Sequence, residues 1–133
     1  MNKRKLDGYE ISSKRYKELC AFCEQYPEWK EKLKNESFIQ GVKYDDTPKP
    51  SNHDNSDTTA KHAIKMLKYK RNCELIEKTA QRADSEFWQY IIKSACYEAT
   101  FRYLKGIDEI PIERSAFFER KRYFFYLLDK EKE

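Results

Sequence analysis

The chain has 133 residues, net charge +4, 38% charged and 15% aromatic residues, and three glycines. That length holds one domain with an appendage, and the aromatic content excludes disorder throughout. The mild basicity permits nucleic-acid binding without requiring it, because both signs of charge are interspersed. No apolar run approaches the roughly 20 residues of a membrane span, so no membrane partner is expected. The opening MNKRKLDGYE has no apolar segment after its basic residues, so it is not read as a secretory leader and a cytoplasmic protein is expected.

Met1 to Glu10 reads as a loose basic arm. Ser12 or Ser13 is placed to cap a helix whose inward positions are Tyr16, Leu19, Cys20 and Cys23, at three- and four-residue spacing. Pro27 disfavours helical geometry at Tyr26 and suits the first turn of a second helix, Pro27 to Lys34, with Trp29 and Leu33 inward. Phe38 and Ile39 are expected to dock the end of this hairpin. Residues 41–57, rich in Pro, Asp and Asn, read as a linker between an N-terminal helical hairpin (1–40) and a C-terminal bundle (58–133). His53 falls in the linker and reads as solvated.

The next helix is expected from Asp57-Thr58-Thr59 to Arg82. It carries two apolar stripes, Ala60/Ile64/Leu67 and, rotated from it, Tyr69/Cys73/Ile76/Ala80. Two stripes predict more than one neighbour, and a second copy of the chain is one possibility. Lys65, Lys68, Lys70 and Arg71 form a positive patch, either a solvated face or a phosphate contact. Asp84 or Ser85 caps the best-patterned amphipathic helix, with Phe87, Tyr90, Ile91 and Ala95 on its inner face and Trp88 and Ile92 widening it. It is the expected centre of the core.

Thr100 caps a short helix that carries Arg102 and ends at Gly106. The turn Ile107-Asp108-Glu109-Ile110-Pro111 leads into a last helix opening near Glu113 and running to Leu128. Two helices about a short turn, the second rich in Arg, Lys and aromatics, have the outline of a helix-turn-helix. At about 100° per residue, Phe117, Phe124 and Leu128 share one side, with Phe118 and Phe125 beside them. Ser115, Glu119, Arg122 and Tyr126 form a polar edge, and Arg120 and Lys121 fall inside the apolar arc, from which long stems reach water. In the DNA-reading alternative, Arg114 and Arg122 address bases or phosphates, since the Arg fork matches guanine edges. Ser115, Arg120, Lys121 and Arg102 then complete the contact surface. In the other alternative the same aromatics are plain core and the basic residues plain surface. Glu113 and Glu119 count against DNA.

No catalytic constellation is present: no glycine-rich phosphate loop, no HExxH and no nucleophile elbow. Asp45, Asp46 and Asp54 lie in the linker, a poor holder of nuclease metals. Cys20 and Cys23 have knuckle spacing, but Cys73, Cys96, His53 and His62 offer no second close pair, so buried thiols are expected rather than a metal or cofactor site. A protein-binding module is the rival reading, with Phe118 and Phe125 as the interface anchors.

Several segments together resemble small phage and prophage proteins of Gram-positive bacteria. They are Tyr9-Glu10-Ile11-Ser12, Phe22-Cys23-Glu24-Gln25-Tyr26-Pro27-Glu28-Trp29-Lys30, Glu74-Leu75-Ile76-Glu77, Ala83-Asp84, Tyr90-Ile91-Ile92-Lys93, Tyr103-Leu104, Ile110-Pro111 and Phe117 through Leu128. The pattern is similar to the RinA/ArpU-type regulators of late phage genes and to the promoter-reading helix-turn-helix of sigma factors. Arg122-Tyr123 stands where that pattern has paired arginines, and Glu113 where it opens on Thr or Ser. The resemblance implies an all-α fold whose last helix reads double-stranded DNA. It further implies a phage transcription regulator. A homodimer is expected because one short reading helix offers few contacts, and host RNA polymerase or another host protein is the partner expected under the protein-binding alternative.

Overall fold

In the computed structural model the chain is mostly helical. The structure describes residues 3–6, 9–42 and 53–133, with side chains at 10–35 and 58–133. The elements are β1 (Lys3–Leu6), β2 (Tyr9–Ser12), α1 (Ser13–Glu24), α2 (Tyr26–Val42), α3 (His53–Ala83), α4 (Trp88–Cys96), α5 (Phe101–Gly106) and α6 (Arg114–Glu131). Most of the linker expected at 41–57 lies outside the described residues, as do the side chains of Phe38, Ile39 and His53.

The expected loose arm is a β-hairpin. β1 and β2 pair antiparallel, with Lys3 opposite Ser12 and Leu6 opposite Tyr9. Ile11 turns into the core, and β2 lies against α6. Ser12 then caps α1 by accepting a 3.1 Å hydrogen bond from the Arg15 amide, which satisfies an otherwise unpaired N–H of the first turn. α1 ends at Glu24, and α2 begins at Tyr26 itself, before Pro27. It also runs past the expected end at Lys34 to Val42. α3 starts at His53 and not near Asp57, so it is a 31-residue helix. At 1.5 Å per residue it is about 46 Å long, and it packs against α2, α4 and α6.

The helices before and after residues 43–52 meet in one apolar core. Leu19 and Cys23 of α1 and Trp29 of α2 join Ile76 and Ala80 of α3 and Ile91 of α4. Leu104 of α5 and Phe117, Phe124 and Leu128 of α6 complete it. Each fully buried large side chain contributes about 1.5–3 kcal/mol. Ring contacts lace the helices together. Tyr16 meets Phe125 edge-on at 5.1 Å, Phe22 meets Trp29 at 5.2 Å, and Trp29 stacks on Tyr69 at 6.4 Å. Two polar ties cross the same junctions. The Arg15 Nε donates to Asp129 Oδ1 at 2.6 Å, joining α1 to α6. The Tyr26 hydroxyl donates to Glu77 Oε2 at 2.6 Å, joining α2 to α3. Burial and the facing Glu77 carboxylate push the Tyr26 hydroxyl well above its ordinary range, so it remains a donor.

The four thiols are free, with Cys23, Cys73 and Cys96 buried and Cys20 half-buried. Burial raises Cys73 to about 11. Cys23 is raised as well, by its hydrogen bond with Cys96 and by burial. Both stay protonated near neutral pH, and thiolate is the reactive species. Reaction of Cys23 and Cys73 with an aromatic disulfide reagent at pH 8 is therefore expected to be at least about ten-fold slower in the native protein than in urea. Equal rates would place these thiols in solvent.

Candidate nucleic-acid interface

The α5–turn–α6 unit is fixed from both ends. At its start the Thr100 hydroxyl accepts from the Tyr103 amide at 3.1 Å, capping α5. α5 stops at Gly106, whose backbone stays out of the left-handed region. The reversal falls instead on Glu109, at φ 55°. The Ile110 amide then donates back to the Leu104 carbonyl at 3.1 Å, and Ile110 is buried. The Lys105 ammonium closes the turn on the carbonyls of Ile110 (3.2 Å) and Ile112 (3.4 Å). Lys93 of α4 braces it from outside through Asp108 at 2.8 Å. Phe101 packs on Phe117 and Phe118, at 5.7 and 6.2 Å between ring centres, which sets the position of α5 against the first turns of α6.

The inner face of α6 is the one the apolar spacing marks. Phe117, Phe124, Phe125, Leu127 and Leu128 are buried. Phe125, expected with Phe118 to be a protein-binding anchor, is core against Tyr16 and Phe124. It is not available to a partner. Phe118 is half-buried, with the Arg114 guanidinium 5.3 Å from its ring and the Lys121 ammonium 5.7 Å.

The six candidate DNA-contacting residues separate into two sets. Arg102, Arg114 and Ser115 are exposed, at the start of α5 and the amino end of α6. That end carries the unpaired N–H groups and the partial positive charge of a helix terminus, which favour phosphate. Arg120, Lys121 and Arg122 are half-buried. Arg120 has a different task from the flanking-phosphate contact expected of it. Its Nε donates a short hydrogen bond to Asp84 Oδ2, and its Nη1 donates to the Ala116 carbonyl at 3.1 Å. Asp84 Oδ1 meanwhile accepts from the Glu86 and Phe87 amides, both at 2.8 Å, and so caps the turn before α4. One carboxylate thus holds the α3–α4 corner to α6. Lys121 also points away from a groove-facing role. Desolvation lowers its pKa, and Cys20, Cys23 and Cys96 lie within electrostatic reach of it. α6 therefore exposes Arg114 and Ser115 of its first turn, Glu119 beyond them, and Lys130 and Glu131 at its far end.

The sequence reasoning missed Asp84 as the partner of Arg120. Only the capping signal of Asp84 was readable, since the two residues are 36 positions apart. No group of three His, Cys, Asp or Glu side chains among the described residues is arranged to hold a metal ion. No helix among them is long and apolar enough to cross a membrane. No family model, no curated protein and no solved structure matches the chain.

Proposed function

We propose that this chain binds double-stranded DNA through the α5–turn–α6 unit and regulates transcription, as the phage proteins it resembles in sequence are expected to do. One observation carries the reading: the amino end of α6 stands in solvent with Arg114 and Ser115, while Phe117, Phe124, Phe125, Leu127 and Leu128 hold the inner face of the same helix in the core. A reading helix needs this arrangement, a rigid base and a free first turn that enters the major groove. Arg114, steadied by its ring contact with Phe118, addresses base edges or phosphate. Arg102 takes a neighbouring phosphate, and Ser115 donates from its hydroxyl. Arg120 acts through position, setting the tilt of α6 by way of Asp84. A pair of chains on two half-sites would supply the contacts that one short helical turn lacks.

A second reading, a module that binds RNA polymerase or another host protein, draws on a different surface. Tyr97, Tyr103 and Ile107 are large apolar side chains that are half or more exposed around the α4–α5 corner. The two readings are compatible in one regulator.

The test is a salt titration of binding to fragments of the carrying genome, with Arg102→Ala/Arg114→Ala beside wild type and Lys121→Gln as control. The double variant is expected to lose about ten-fold or more in affinity. The slope of log affinity against log salt should fall by about 2 if both arginines meet phosphate, as counterion release requires. The control is expected to match wild type. Weak binding to every fragment, indifferent to the arginines, would sink the reading.

A further inference from the structure

The two apolar stripes of α3 have different fates. Cys73, Ile76 and Ala80 are buried, and Tyr69 packs on Trp29. The stripe Ala60/Ile64/Leu67 faces solvent, with Ile64 68% and Leu67 47% exposed. Their spacing of four and three residues is that of a helix seam meeting another helix. Beside the stripe, α2 and α3 enclose an open groove of about 460 Å³, lined by Leu33, Ala63, Met66 and Leu67 together with Thr59, His62 and Lys70. Lys61, Lys65 and Lys68 run along the other side of the stripe, and Arg71 continues it. From residue 58 to 73 there is no Asp or Glu to offset them.

We propose that this face of α3 is the docking site for an acidic amphipathic helix of a partner protein. Charge decides among the occupants. A second copy of the chain would set Lys61, Lys68 and Arg71 against their own counterparts, and like charges at such a seam oppose pairing. A nucleic acid would satisfy the lysines and leave Ile64 and Leu67 in water. A helix with an apolar stripe between two rows of Glu or Asp matches both features, in the helix-in-groove mode of recognition. The surface lies on α3 and does not depend on the α5–turn–α6 unit, so it stands or falls apart from the DNA reading.

The experiment is a display selection of random helices about 20 residues long, ~30 Å at the helical rise, against the immobilised full chain. Selected helices are then assayed as synthetic peptides. The expected winners carry apolar residues at three- and four-residue spacing with acids on both flanks. Ile64→Ser/Leu67→Ser and, separately, Lys61→Gln/Lys65→Gln/Lys68→Gln are each expected to weaken the peptides about ten-fold or more. All substituted side chains are exposed, so helix content by circular dichroism should equal that of wild type. Winners without acidic flanks, winners indifferent to both variants, or no enrichment above background would each overturn the proposal. So would a wild-type dimer that Ile64→Ser/Leu67→Ser converts to monomer, since the occupant would then be a second copy. DNA binding that the lysine variant loses and the Ile64/Leu67 variant keeps, with no peptide enriched, would assign the face to nucleic acid instead.

Discussion

Phe124→Ala is expected to lower the free energy of unfolding by about 3–5 kcal/mol, the usual cost of truncating a buried ring. Phe124 has no exposed surface, lies in the core, and meets Phe125 edge-on at 5.1 Å. It sits on α6, a helix that packs against α1, α3 and α4. The loss combines the apolar transfer of the ring with a cavity that four rigid helices cannot close. Against a total of about 5–15 kcal/mol for a typical domain, it is enough to make the protein marginal. Urea unfolding followed by tryptophan fluorescence would measure it, with Phe124→Leu as a milder companion expected to cost less than half as much. A loss under about 1 kcal/mol would contradict the packing of α6 described above.

Asp84→Ala should cost about 1.5–3 kcal/mol, from three lost hydrogen bonds of unequal weight. The acceptances from the Glu86 and Phe87 amides close the turn before α4 and together are worth about 1–2 kcal/mol. The Arg120 pair adds less, because the Arg120 side chain is 39% exposed and water screens it. Asp84→Asn keeps an acceptor for the amides and is expected to recover more than half of the loss. The carboxylate also gives the effect a pH dependence. Burial pushes Asp84 up, but the Phe87 and Glu86 amides and the Arg120 guanidinium outweigh it and hold its pKa below the ordinary 3.8. A carboxylate depressed in the folded state stabilises fully above its unfolded pKa, and that contribution disappears as pH falls through the folded value. The stability gap between wild type and Asp84→Asn should therefore be constant from neutral pH down to about 5 and shrink below about 4. A gap that stayed constant to pH 2.5 would remove the carboxylate charge from the account.

Periodicity and capping carried the helical reading well. Ser12 and Thr100 accept from the first turns of α1 and α5, and Phe117, Phe124 and Leu128 are the buried side of α6. These features depend on neighbours within four residues, so a single chain states them. Asp84, expected to cap α4, instead closes the turn before it: α4 opens later, at Trp88, with no side-chain cap. The start of α3 was less legible because Asn and Asp before Thr58 read as turn residues, and tertiary packing overrides such weak preferences. The N-terminal hairpin escaped notice although Asp7-Gly8 stands between the strands. That dipeptide is a strong hairpin signal, but the flanking Lys3 to Leu6 is too basic to read as a strand. The candidate site was half legible. The wheel separated Ser115 from the core. It could not show that Arg120 is occupied by Asp84 or that Lys121 is desolvated, because those partners come from other helices. Nor could it choose which of two apolar stripes on α3 finds a neighbour.

α6 also sets the order in which this core can be completed during synthesis. It leaves the ribosome after α1 to α5, yet it supplies Phe117, Phe124, Phe125 and Leu128 to the core they share. Until it emerges, Leu19, Ile76 and Ile91 lack the side chains that seal them in the finished structure. Until α6 is made, the nascent chain therefore carries uncovered apolar surface, the condition that recruits holding chaperones and favours aggregation.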